Sequence, residues 1–162
     1  MKHILLIGLL LPLQALSQSK FSDRIEKEAA ALQCPPPDGS KPVTVNAAVV
    51  ATADSLAVIV KSEILRGWHI YAYVPENQPY IQLDPILETP ASLQPAGGWS
   101  QTPPTASVHD PGVLIYNNTA VFIRKFARKE PSGGKIKAGL YFQCCDIKQC
   151  LPPDEHVVEL NF

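Results

Sequence analysis

Three of the four cysteines fall within seven positions of the stretch YFQCCDIKQCLPP, residues 141–153: Cys144, Cys145 and Cys150. Thiols at that density admit a redox-active dithiol, a structural disulfide or a metal site. Strand alternation separates the two adjacent ones. Over residues 135–145, Ile136, Ala138, Leu140, Phe142 and Cys144 share one face, and Lys137, Gly139, Tyr141, Gln143 and Cys145 share the other. Cys144 therefore belongs with a core, and Cys145 points to the opposite side. In a continuing strand the Cα atoms of Cys145 and Cys150 would lie roughly 16 Å apart, beyond the ~7 Å a disulfide tolerates. A bridge requires a reversal, and Asp146-Ile147-Lys148-Gln149 has the length of a hairpin loop. Pro152-Pro153 then limits how far the returning strand can pair.

A disulfide closing so small a loop gains little from restricting the unfolded chain, which weighs toward a redox role. Lys148 would favour a thiolate there and Asp146 would oppose it. A metal reading would use Cys144, Cys145, Cys150 and His156. Adjacent strand residues diverge, however, no Cys-x-x-Cys knuckle is present, and the single Met is the initiator. No Ser-His-Asp order or carboxylate pair points to a hydrolase. Spacing alone leaves dithiol, structural bridge and metal site all open.

The elements that must position these residues read as all-β. From Pro42 onward, short runs rich in Val, Ile, Tyr and Phe are broken every eight to twelve residues or so by Pro, Gly, Asn or Asp. Strands are predicted at 43–51, 55–64, 68–74, 80–84, 113–117, 119–127, 135–145 and 155–161. Their texture favours antiparallel pairing in a β-sandwich. The Pro-rich stretch 85–112 should hold one or two edge segments and a long loop. Asn117-Asn118-Thr119 reads as a hairpin turn rather than a glycosylation acceptor. Residues 20–32 have helix-forming composition, with Ser22 as a candidate N-cap, and end at Cys34 and three prolines.

The first residues, a basic end followed by ILLIGLLLPLQAL, have the pattern of a secretory leader, with cleavage expected before Gln18. The expected organisation is a signal peptide at 1–17, an N-terminal arm at 18–42 and one domain at 43–162. Cys34 lies too far downstream of the apolar run to be a lipoprotein anchor, so no stable membrane insertion is expected after leader removal. Without Lys2, thirteen Lys and Arg face fifteen Asp and Glu, a net charge of about −2 with no basic tract, which argues against nucleic acid as a partner. An exported chain reaches a compartment where disulfides persist.

YFQCCDIKQCLPP, the following HVVEL and the upstream GWHIYAYVP together resemble the N-terminal periplasmic domain of the thiol:disulfide interchange protein DsbD family. The resemblance covers most of residues 42–162. It implies an immunoglobulin-like antiparallel β-sandwich, here with a short N-terminal helical arm. It also implies electron relay in the periplasm from a membrane-bound reductase, acting in trans, to oxidised periplasmic proteins. No cofactor and no metal is required. Carried over by position, Cys145 and Cys150 are the redox pair, and Cys150 forms mixed disulfides with partners. His69 and Tyr71 lie against the pair, and a shielding loop corresponds to Val108–Leu114, with His109 or Val113 in place of an aromatic cap. Cys34 and Cys144 are additional to the pair and are expected to bridge the arm to the core.

Four of the singled-out residues also have plain readings. His69 and Tyr71 share a strand face, which simple amphipathicity explains. His109 reads as a surface-loop histidine, and His156 as solvent-facing. The runner-up function is a non-catalytic secreted β-sandwich that binds proteins and holds structural disulfides; a regulatory or vestigial copy of the family domain is a third reading.

Overall fold

Residues 13–162 are described by the structure, a computed structural model, with side chains from Lys20 onward; the expected leader lies outside the described residues except for the backbone of 13–17. The β-branched runs form eleven strands among the described residues: β1 (Val43–Ala51), β2 (Ser55–Ile64), β3 (His69–Tyr73), β4 (Asp84–Glu88), β5 (Leu93–Gln101), β6 (Thr105–Ala106), β7 (Leu114–Tyr116), β8 (Thr119–Arg128), β9 (Lys135–Phe142), β10 (Cys144–Cys145) and β11 (Asp154–Asn161). Every pairing is antiparallel.

One layer is the sheet β1-β2-β8-β5. The other is built from β11-β9-β4 and β10-β3-β7-β6, joined where β9 runs into β10. Between the layers, Leu56, Val58 and Val60 of β2 and Phe122 of β8 meet Ile136, Ala138, Leu140 and Phe142 of β9 in one buried core. This is the expected immunoglobulin-like sandwich, and each fully buried aliphatic or aromatic side chain stabilises it by about 1.5–3 kcal/mol.

Strand β2 is buried on both faces, which explains its unbroken LAVIV run. Its Ala57 and Ile59 point away from the main core and meet the helix α1 (Leu13–Ala31). Phe21, Ile25, Ala29 and Leu32 recur at helical spacing, and Ile25 and Leu32 are buried against Val50, Ala57 and Ile59. The arm is thus docked on the outer face of the first sheet. Ser22, expected as the N-cap, lies inside α1. Among the described residues, no helix is long and apolar enough to cross a membrane.

The Pro-rich stretch supplies three edge strands, β4, β5 and β6, so prolines 85 and 95 sit where a missing N–H costs no central ladder bond. The strand predicted at 80–84 falls instead at Asp84–Glu88. Residues 81–83 use other partners: the Ile81 N–H donates to the Gln143 side chain and the Leu83 N–H to the Tyr71 carbonyl. Gln143 also divides the predicted strand 135–145, because its amide donates to the Leu151 carbonyl across the hairpin. The turn at Asn117–Thr119 does not close a hairpin. It carries the chain from β7 in one layer to β8 in the other, with Asn118 at φ 63°, a conformation Asn tolerates.

Gly139, paired with Val157, is the tightest glycine, since an added Cβ would collide with the His156 carbonyl and the Val157 Cα. Gly139→Ala should cost about 3 kcal/mol in urea unfolding. Gly98→Ala, which meets only the end of Arg124 at 4.0 Å, should be near neutral.

Candidate functional site

The outer face of β10-β3-β7-β6 carries the site. Register places Cys145 opposite His69, Tyr71 opposite Ile115, and Ile115 opposite Thr105, so one row of side chains lines the floor across all four strands. After Cys145 the chain reverses. The Asp146 carboxylate accepts the N–H groups of Lys148 and Gln149, both at 2.7 Å, and the Asp146 N–H donates to the Gln149 carbonyl at 2.9 Å. Those backbone bonds hold the Asp146 carboxyl below the usual carboxylate range. The turn brings Cys150 beside Cys145, with Cα atoms 4.0 Å apart and a disulfide between them.

Its two ends differ in access. Cys145 is 2% exposed and packs with Tyr71, Val113 and Ile115, whereas Cys150 is exposed. The Tyr71 hydroxyl lies 3.9 Å from the Cys150 sulfur and 3.3 Å from His69 Nε2. A disulfide sulfur carries no proton, so the phenol is the donor to sulfur. A phenol has one proton to give, which makes His69 Nε2–H the donor to the phenolic oxygen. Burial pushes the Tyr71 hydroxyl well above its ordinary pKa, with Tyr80 and Asp110 adding to the shift; Tyr71 therefore remains a donor across the physiological range. Burial likewise lowers His69, against opposition from Asp110 and Asp146, and keeps the ring neutral near pH 7.

Behind Tyr71 stands Tyr80, stacked with ring centroids 4.5 Å apart and planes 10° from parallel. The Tyr80 hydroxyl donates to Asp110 at 2.9 Å, and this bond raises its pKa. Asp110 also accepts the Ser107 hydroxyl at 3.2 Å, while the Ser107 oxygen accepts the N–H groups of His109 and Asp110. Asp110 thereby fastens the loop after β6 to the aromatic stack. With the hairpin loop, this loop encloses a groove of about 580 Å³.

The structure thus brings together Cys145, Cys150, His69, Tyr71 and, at the groove wall, His109. Of the two residues expected at the cap position, Val113 is fully buried in a cluster with Tyr71, Ile115 and Cys145, and His109 is exposed on the groove wall. The expected Cys34–Cys144 bridge is absent, and both are free, buried thiols. Cys34 lies on the helix side of the β1–β2 sheet, donating to the Lys61 carbonyl at 3.3 Å, while Cys144 sits in the core between the layers, so a sheet separates them. His156 is also corrected. It is not solvent-facing, because its ring packs edge-on against Phe142 and bonds Asp154 at 2.8 Å. Among the described residues, no three His, Cys, Asp or Glu side chains are grouped as metal ligands.

Sequence reading missed Tyr80, Asp110 and Ser107. The Ser107-x-x-Asp110 spacing before Pro111-Gly112 signals a side-chain-capped turn, though not its aromatic partner.

No family model and no curated protein matches the chain. Among solved structures, the chain is similar to the N-terminal periplasmic domain of ScsB from Proteus mirabilis, at 14% identity and TM-score 0.50 over 79% of this chain and 49% of that one. The chain spans about half the length of that structure. It is also similar to the reduced N-terminal domain of Neisseria meningitidis DsbD, at 20% identity and TM-score 0.49 over 83% and 93% of the two chains. A further match is the complex of the DsbD and PilB N-terminal domains from Neisseria meningitidis, at 18% identity and TM-score 0.43 over 77% and 85%. At 14% identity the likeness to the ScsB domain shows the fold alone.

Removing the Asp110 carboxylate (Asp110→Ala) should cost about 1–2 kcal/mol and speed amide hydrogen exchange over residues 107–113 relative to the rest of the chain. Burial raises the Cys144 thiol from 9.0 to about 11, so the folded state holds that proton longer than the unfolded one. Its contribution is complete below pH 9 and is lost as pH rises through about 11. The urea midpoint should fall across that window, and less steeply in Cys144→Ala.

Proposed function

We propose that this chain is a thiol:disulfide interchange domain whose redox pair is Cys145 and Cys150. The observation that carries the reading is the asymmetric disulfide: a bridge closing a four-residue hairpin loop, one half buried and the other open on a groove. A structural disulfide gains little from so short a loop, and exposure of one sulfur serves only a visiting thiol or disulfide.

In the reduced chain, the Cys150 thiolate attacks a partner disulfide, whose S–S bond breaks to release one thiolate and leave a mixed disulfide. Cys145 then loses its proton and attacks the Cys150 sulfur, which expels the second partner thiolate and restores the internal bridge. Two electrons pass to the partner. The Tyr71 hydroxyl, itself held by His69, supplies the hydrogen bond that stabilises negative charge on Cys150. No cofactor enters these steps.

The leader pattern and the fold shared with a periplasmic domain support a periplasmic location. The sequence resemblance supports a membrane-bound reductase, acting in trans, as donor and oxidised envelope proteins as acceptors.

Cys150→Ser should abolish exchange with any protein disulfide, whereas Cys145→Ser should accumulate mixed disulfides visible on non-reducing gels. Tyr71→Phe should slow alkylation of the reduced chain by iodoacetamide about two- to fivefold at pH 7, as loss of one hydrogen bond to a thiolate implies. A bridge titrating below about −300 mV against dithiol buffers would assign a structural role instead.

A further inference from the structure

Among the described residues, the two most exposed large apolar side chains are Val108, at 89%, and Ile147, at 82%; the next is Tyr73 at 50%. Both line the disulfide groove. They reach it from opposite sides, because Val108 follows β6 and Ile147 follows β10, the two outer strands of β10-β3-β7-β6. Isolated apolar side chains on a surface need no explanation, but a pair flanking one groove beside a reactive sulfur does. Between them the floor is also apolar or aromatic, with Tyr71, Tyr80 and Ile115.

We propose, building on the interchange reading, that Val108 and Ile147 are specificity determinants that grip a partner whose redox cysteine is flanked by apolar side chains in an extended segment. Three strand spacings of about 4.8 Å separate the outer strands, roughly 14 Å in all, which an extended chain covers in about four residues. Cys150 belongs to the same hairpin as Ile147. A partner cysteine bonded to it therefore carries an apolar neighbour on Ile147 and a second, within about four residues, toward Val108. Desolvation of these contacts holds the partner sulfur on Cys150 while Cys145 resolves the mixed disulfide.

The test uses the whole chain, reduced with dithiothreitol and freed of it, against disulfide-linked homodimers of a short peptide with one central cysteine. The cysteine is flanked by Leu in one version and by Ser in the other. The chain's dithiol is oxidised by two electrons, and each peptide dimer is reduced to two thiols. The Leu peptide should react about tenfold faster, the discrimination expected when small apolar groups enter an apolar site. In the double variant Val108→Ser, Ile147→Ser that ratio should fall toward one; being a ratio within one protein, it is insensitive to any general loss of exchange. Equal rates in the wild type, or a ratio that survives in the variant, overturn the proposal and leave the interchange reading intact. Failure to exchange with either peptide and with glutathione disulfide overturns both. A wild-type dimer in sedimentation that the double variant dissolves would assign these side chains to a second copy of the chain and overturn the partner proposal.

Discussion

Register between β10 and β3 is the constraint on which the site depends. Cys144 pairs with Ile70 and Cys145 with His69, so the first cysteine enters the core and the second lies under the groove. A one-residue slip would exchange them, burying Cys145 between the sheets and turning Cys144 toward the groove. That slip is opposed by the whole of β9. Ile136, Ala138, Leu140 and Phe142 are all buried in the same core as Cys144, and moving them to the solvent face would forfeit several side chains' worth of apolar burial. The main core thus sets which sulfur lies under the groove. The Asp146-capped turn then only has to return the chain by one strand spacing.

In the proposed exchange, asymmetry of burial becomes asymmetry of role. The exposed Cys150 is the sulfur a partner can reach, and Cys145, packed behind Tyr71, can only act from within. Tyr71 is fixed by three contacts of different kinds: the edge-on His69 ring, the stacked Tyr80 ring and the core beneath it. Its hydroxyl therefore meets the Cys150 sulfur without having to be ordered when charge develops there. The Tyr80–Asp110 bond extends the same arrangement to the neighbouring loop, so groove wall and reactive centre share one support.

What was legible in the sequence was local. The hairpin at 146–149, the two faces of the strand before it and the common face of His69 and Tyr71 all follow from alternation and loop length, and these survive in any sheet environment. Long-range contacts were not legible. Tyr80 reads as a strand residue until Tyr71 and Asp110 draw it out of the ladder, and the side chain of Gln143 ends β9 by bonding across to residues 81 and 151. The strand at 93–101 contains Pro95, Gly97 and Gly98, which argue against a strand in isolation. At a sheet edge with an irregular register between Pro95 and Trp99 they are tolerated. Pairing Cys34 with Cys144 failed for the same reason, since nothing in their spacing reveals that a sheet lies between them.

In the proposed exchange, separation of the four sulfurs is what leaves a single path. A mixed disulfide on Cys150 is vulnerable to any thiol within reach, and a chain with two further cysteines offers two wrong resolvers. Cys144, the nearest in sequence, projects to the opposite face, and burial raises its pKa to about 11, which leaves almost no thiolate at neutral pH. Cys34 lies beyond the β1–β2 sheet under the N-terminal segment, with its thiol bonded to the Lys61 carbonyl and its pKa likewise raised by burial. Neither can approach Cys150 without dismantling a layer of the sandwich. Cys145, one hairpin loop away and on the same face, is left as the sole intramolecular thiol that can complete the exchange.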